Sequence, residues 1–175
     1  RPLEDADGSV KHLAACVAVG LLGAVTTGCA GDPRVVRVYD GTIVEGRFVS
    51  PDAYAAFLRG VLAEESGDLH AALTAYRAAA SEDARDPEIF ALIGETSCRL
   101  DPKGPDGDRA FARALTLDPT YAGALAAKGR CALARGNVEE ATELARRASA
   151  ADPKSADIEA LVVRAAASRP DPAMR

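Results

Sequence analysis

Residues Gly136–Pro153 read GNVEEATELARRASAADP, and the pattern of this stretch sets the fold. Val138, Ala141, Leu144, Ala145 and Ala148 recur at helical spacing and make one apolar stripe. Asn137 stands at an N-cap place, and Glu140 three residues on completes a start like a capping box. Asp152-Pro153 ends the helix, because proline has no amide hydrogen to continue it. The pattern predicts a helix over 138–151.

The small residues around this stretch recur along the chain. Gly129, Gly136, Ala141, Ala148 and Pro153 follow one another at steps of 7, 5, 7 and 5. Gly60, Gly67, Ala72 and Ala79 repeat the steps 7, 5 and 7, with Pro87 8 residues later. Gly94, Gly107, Ala114 and Pro119 give 13, 7 and 5. Gly60 to Gly94 is 34 residues and Gly94 to Gly129 is 35; Ala79 to Ala114 is 35 and Ala114 to Ala148 is 34. Small residues at fixed places let paired helices approach closely. The strings GDLHAALTAYRAAA, from Gly67, and GNVEEATELARRASAADP resemble the tetratricopeptide repeat, whose period is about 34 residues.

The resemblance implies an all-α solenoid of three helix-turn-helix repeats, at about 53–86, 87–120 and 121–154, with a cap at 155–168. The expected helices are 51–66 and 69–81, then 87–100 and 108–117, then 121–135 and 138–151, with the cap helix last. Ser50 caps the first, Pro51 suits its first position and Asp52 complements its dipole. In the second repeat, Asp101–Gly107 replaces the usual tight turn and shortens the helix that follows. Residues 169–175, with Pro170 and Pro172, are expected to fray.

Composition agrees with this class. The hydrophobic fraction is 48%, much of it alanine, with four Phe, four Tyr, one Met and no Trp, which suits closely packed helices better than a sheet sandwich. The net charge of -5 excludes the basic footprint that nucleic acid requires.

The N-terminal region reads differently. Residues 1–9 carry Glu4, Asp5 and Asp7, unlike the start of an export signal, and read as a non-native leader before a start at Val10. Leu13–Val25, LAACVAVGLLGAV, is an uncharged run preceded by Lys11, too short for a membrane span and of the length of a signal h-region. Thr26-Thr27-Gly28-Cys29 follows and resembles the lipobox of bacterial lipoproteins, although Thr26 stands where that family prefers leucine. The resemblance implies a signal peptide over 10–28 and a lipidated Cys29 as the mature N-terminus; without it, the segment reads as an ordinary cleaved signal or an uncleaved anchor. Residues 29–49 then form a linker. Within it, two β-branched runs flank Asp40-Gly41, which reads as a short hairpin with a type I′ turn or as an extended tether that docks on the first helix.

No catalytic, cofactor-binding or metal constellation stands out. Beyond His12, His70 is the one remaining histidine, without a neighbouring Cys or His. The pairs Glu64-Glu65 and Glu139-Glu140 are adjacent on helices and read as solvated faces. Asp106-Gly107-Asp108 has too few spaced carboxylates for calcium. Cys98 and Cys131 each lie late in a first helix. They read either as a disulfide joining repeats two and three of an exported protein or as two small buried hydrophobes.

By resemblance, the first helices line a groove that holds a peptide or helix of a partner protein. Its candidate residues are Tyr54, Phe57, Val61, Glu64, Glu65, Lys128 and Arg130, with Phe57 the one that reads better as core. The implied function is a non-enzymatic interaction scaffold or assembly factor of the bacterial cell envelope, membrane-anchored by lipid and facing the periplasm or exterior, with no cofactor and no small-molecule substrate. The alternatives are a purely structural subunit, an accessory domain acting in trans on an enzyme such as a cell-wall hydrolase, and a cytoplasmic adaptor if the signal is not used.

Overall fold

The computed structural model describes residues 34–39, 42–47 and 49–169, and the chain divides into two units, residues 1–48 and 49–175. The leader, the signal segment, Cys29, the Asp40-Gly41 turn and residues 170–175 lie outside the described residues. In the first unit, β1 (Arg34–Tyr39) and β2 (Thr42–Arg47) pair antiparallel, with Val36 opposite Glu45 and Val38 opposite Ile43. Three of the six residues in each run are branched at Cβ, a composition that favours extended backbone.

The second unit holds seven helices among the described residues: α1 (Pro51–Glu65), α2 (Leu69–Glu82), α3 (Pro87–Leu100), α4 (Pro105–Leu117), α5 (Ala122–Ala134), α6 (Val138–Ala151) and α7 (Ala156–Ala167). They pair as α1 with α2, α3 with α4 and α5 with α6, while α3 lies along α5 and α7 packs on α6 and α5.

Local chemistry explains most of the boundaries. Ser50 Oγ accepts from the Ala53 amide at 3.0 Å, Asp68 Oδ1 from Ala71 at 2.9 Å, and Asp86 Oδ1 from Glu88 at 2.8 Å. These bonds satisfy amides that a helix start leaves unpaired. Gly67 and Gly136 take φ of +83° and +81° in the turns of the first and third pairs, a region that an L side chain resists.

The far ends share one device. Asp83, Asp101, Asp118 and Asp152 each donate the backbone N–H to the carbonyl four residues back, at 2.8 to 2.9 Å. Each then accepts at Oδ1 from the amide two residues on, at 2.8 to 3.2 Å. The first repeat has Ala84 where the later ones have Pro119 and Pro153, and its aspartate closes the helix all the same.

The core explains the fixed small residues. A Cβ on Gly60 would stand 2.4 Å from the Tyr76 ring, and one on Gly94 2.5 Å from the Phe111 ring. Both rings are essentially sealed from water, and each full burial of this kind contributes roughly 1.5–3 kcal/mol. In the third pair Ala145 stands at the place of Tyr76 and Phe111. Leu161 of α7 fills the space instead, 3.0 Å from where a Gly129 Cβ would be. The cap helix therefore supplies bulk that the third repeat lacks.

Two expectations are corrected. Helix α4 begins at Pro105, not Asp108, because proline suits a first helical position and Asp106 and Asp108 place carboxylates in the positive first turn. Asn137 makes no side-chain cap bond, so the capping box does not form; Glu140 pairs instead with Lys128 of α5. The other helix ends lie within one residue of expectation.

Candidate functional site

The first helices α1, α3 and α5, with α7, present a common face, and the period of the sequence puts matching residues side by side on it. Glu64 of α1 pairs with Arg99 of α3, 35 residues on, and Glu95 of α3 pairs with Arg130 of α5, again 35 residues on. The second pair is bidentate: Arg130 Nε and Nη2 donate to Glu95 Oε1 and Oε2 at 2.7 and 2.8 Å. The other oxygen of Glu64 accepts from the Tyr76 hydroxyl at 2.8 Å. Glu–Arg clasps thus tie successive repeats together. The groove candidates drawn from the sequence omitted Glu95 and Arg99, although a carboxylate followed one period later by a guanidinium is legible there.

Electrostatics follow from this arrangement. Burial lowers the affinity of the Arg130 guanidinium for its proton, but the Glu95 bond and the fields of Glu95, Asp157 and Glu64 outweigh it and hold Arg130 above its ordinary value. Burial, then the Glu64 carboxylate, push the Tyr76 phenol well above its own.

Two hollows open on the face. One, of about 470 Å³, is walled by Cys98, Ala127 and Cys131 and edged by Glu95, Arg99 and Arg130. The other, of about 330 Å³, lies between Glu95, Arg130, Asp157, Ala160 and Arg164. The Glu95–Arg130 clasp borders both. The sulfurs of Cys98 and Cys131 are bonded, with the Cα atoms 6.0 Å apart, and the bridge crosses from α3 to α5. Ala127, also buried here, keeps these helices close.

The remaining candidates divide. Tyr54 is 57% exposed on α1. Phe57 and Val61 are half-buried against the core of the first pair, and the Phe57 ring centroid is 6.2 Å from that of Tyr76. Glu65 is exposed and makes no ion pair among the described residues. Lys128 turns away from the hollows: its Nζ lies 3.3 Å from Glu140 Oε1, on the flank of α5 that meets its own second helix.

His70 is exposed on α2. Among the described residues no three His, Cys, Asp or Glu side chains gather as metal ligands, and no helix is long and apolar enough to cross a membrane.

Family models for the tetratricopeptide repeat match residues 37–87 and 109–165. No curated protein matches the chain in sequence. Among solved structures, the chain superposes on the TPR2B domain of yeast Sti1 in complex with pHsp70. The TM-score is 0.61 at 21% identity, covering 69% of this chain and 100% of that one. The first TPR domain of human RPAP3 superposes with TM-score 0.61 at 18% identity, covering 67% and 91%. The first TPR of Spaghetti (RPAP3), bound to the HSP90 peptide SRMEEVD, gives 0.59 at 19%, covering 67% and 93%. At these identities the likeness speaks for the fold. The paired helices, the small residues at their crossings and both family matches agree: the chain carries tetratricopeptide repeats, and its helical unit has the all-α tetratricopeptide fold.

Proposed function

We propose that the protein is a non-enzymatic scaffold or assembly factor whose first-helix face holds a peptide or helix of another protein, and that it works in the bacterial cell envelope, anchored through a lipidated Cys29. The observation that carries the binding role is the open face itself. Tyr54 is exposed beside it, and its two hollows are edged by charges already fixed in place. A face pre-ordered in this way loses little entropy when it binds. The Sti1 and Spaghetti domains, whose fold it shares, are bound to other proteins' segments in their structures.

The envelope location is supported by the apolar run and Gly28-Cys29 in the sequence and by the Cys98–Cys131 bridge, since disulfides persist in oxidising compartments. Intact mass of the membrane fraction from cells expressing the chain from Val10 tests it, with Cys29→Ala as control. A mass beginning at Cys29 with added acyl chains, lost in the control, is expected; an unmodified soluble chain defeats the location and favours an adaptor in the cytoplasm. Affinity purification with Tyr54→Asp/Asp157→Lys tests the binding role, and a partner recovered equally by this variant and the wild type argues against it.

A structural subunit is the second reading, and one observation favours it. Leu62 is 64% exposed, whereas Thr96 and Cys131, at the same place in the next two repeats, are 0% and 4% exposed. The start of the solenoid thus leaves bare an apolar position that the later repeats cover.

A further inference from the structure

We propose that the segment held by the first-helix face is cationic and amphipathic: an apolar side chain enters the hollow walled by the disulfide, and lysines or arginines beside it lie toward Glu65 and Asp157. The proposal rests on the reading that this face binds a partner, and it names that partner's chemistry.

The positive charge at the larger hollow is already paired. The two guanidiniums at the larger hollow are committed, Arg99 to Glu64 and Arg130 to both oxygens of Glu95. An acidic ligand would have to break those clasps and leave Glu64 and Glu95 unpaired beside it, and a half-buried carboxylate stripped of its partner is costly. Asp157 of α7 lines the smaller hollow, and Glu65 is exposed at the end of α1, next to Glu64; neither makes an ion pair or hydrogen bond among the described residues. Among the described residues, Arg164, which lines the smaller hollow with Asp157, is the one cation there outside a clasp. Lys128, which would add positive charge, is turned to Glu140. The wall between α3 and α5 is apolar, formed by Cys98, Ala127 and Cys131, and suits a branched aliphatic or a methionine side chain. The face is therefore matched to a basic amphipathic segment and mismatched to an acidic one such as the SRMEEVD peptide bound by the Spaghetti domain.

The test is fluorescence anisotropy of the full chain with labelled peptides that share one leucine spacing and carry lysine, glutamine or glutamate at the other positions, with SRMEEVD alongside. The lysine form is expected to bind about tenfold more tightly than the glutamate form at low salt, with the gap closing as salt screens it. Asp157→Asn with Glu65→Gln should remove most of that gap. Glu139→Gln with Glu143→Gln, the same loss of charge on α6, should leave it intact. A glutamate form or SRMEEVD that binds as tightly as the lysine form overturns the proposal while leaving a binding face in place. An equal loss in both double variants also overturns it, because the attraction would then be to net charge. If no peptide binds, the proposal falls. Partner crosslinks from the same face would then preserve the underlying reading, and their absence would remove that too.

Discussion

At the scale of single residues, the steric and polar details make sharp predictions. Gly94 has no room for a methyl group, since its Cβ would meet three atoms of the sealed Phe111 ring at 2.5 to 3.0 Å. Gly94→Ala should lower stability by about 1 to 3 kcal/mol despite the better helix propensity of alanine, read as a shift in the urea midpoint, and a gain would contradict the close crossing. Thr96 carries the opposite expectation. It is fully buried and its Oγ1 has no hydrogen-bond partner among the described residues. Thr96→Val removes an unsatisfied hydroxyl at equal shape and should add about 1 kcal/mol. Tyr76 links stability to pH. Its phenol is held above its ordinary value of 10.0 by burial and then by Glu64. Its contribution is therefore fully present below about pH 10 and is lost as pH rises beyond it, because the unfolded phenol ionises first. Tyr76→Phe should cost about 1 to 2 kcal/mol at neutral pH through the lost bond to Glu64. The gap between wild type and variant in chemical denaturation should narrow in alkali; a constant gap would show that the fold does not perturb this phenol.

At the scale of elements, the turns show what a sequence can and cannot reveal. Gly67-Asp68-Leu69 and Gly136-Asn137-Val138 look equivalent, and both glycines take the left-handed conformation. Yet Asp68 caps α2 by bonding to the Ala71 amide, while Asn137 makes no cap bond. Asp68→Ala should cost about 1 kcal/mol and Asn137→Ala a few tenths, compared by thermal melting. Equal losses would mean that the two turns are alike. Helix lengths and pairing were legible because small residues recur at a fixed period and prolines stop the helices. The start of α4 was not, because Asp101–Gly107 is rich in turn formers and Pro105 serves equally as breaker or first helical residue. The direction of Lys128 was hidden for another reason: a long side chain on a helix flank can reach either neighbour, and only the placement of Glu140 decides. Glu64–Arg99 and Glu95–Arg130 were within reach of sequence reading, since both pairs repeat the solenoid period.

At the scale of the whole molecule, the binding face depends on α3 and α5 staying together, because their side chains wall the larger hollow and clasp each other through Glu95 and Arg130. The Cys98–Cys131 bridge spans 33 residues and joins the second repeat to the third. Removing it with the double substitution Cys98→Ser/Cys131→Ser should lower stability by about 2 to 4 kcal/mol, matched by reduction of the wild type. Reduction without effect on the melting temperature would show that the crossing is held by packing alone. Binding of a partner at the first-helix face is tested by site-specific photo-crosslinking in living cells. A photoreactive residue replaces Ala160 on the face or Tyr54 beside it in one set, and Glu139 or Glu143 on α6 in another. One discrete crosslinked product is expected from Tyr54 and Ala160 and none from the α6 positions. The same product from α6, or products from α6 alone, would contradict binding at this face.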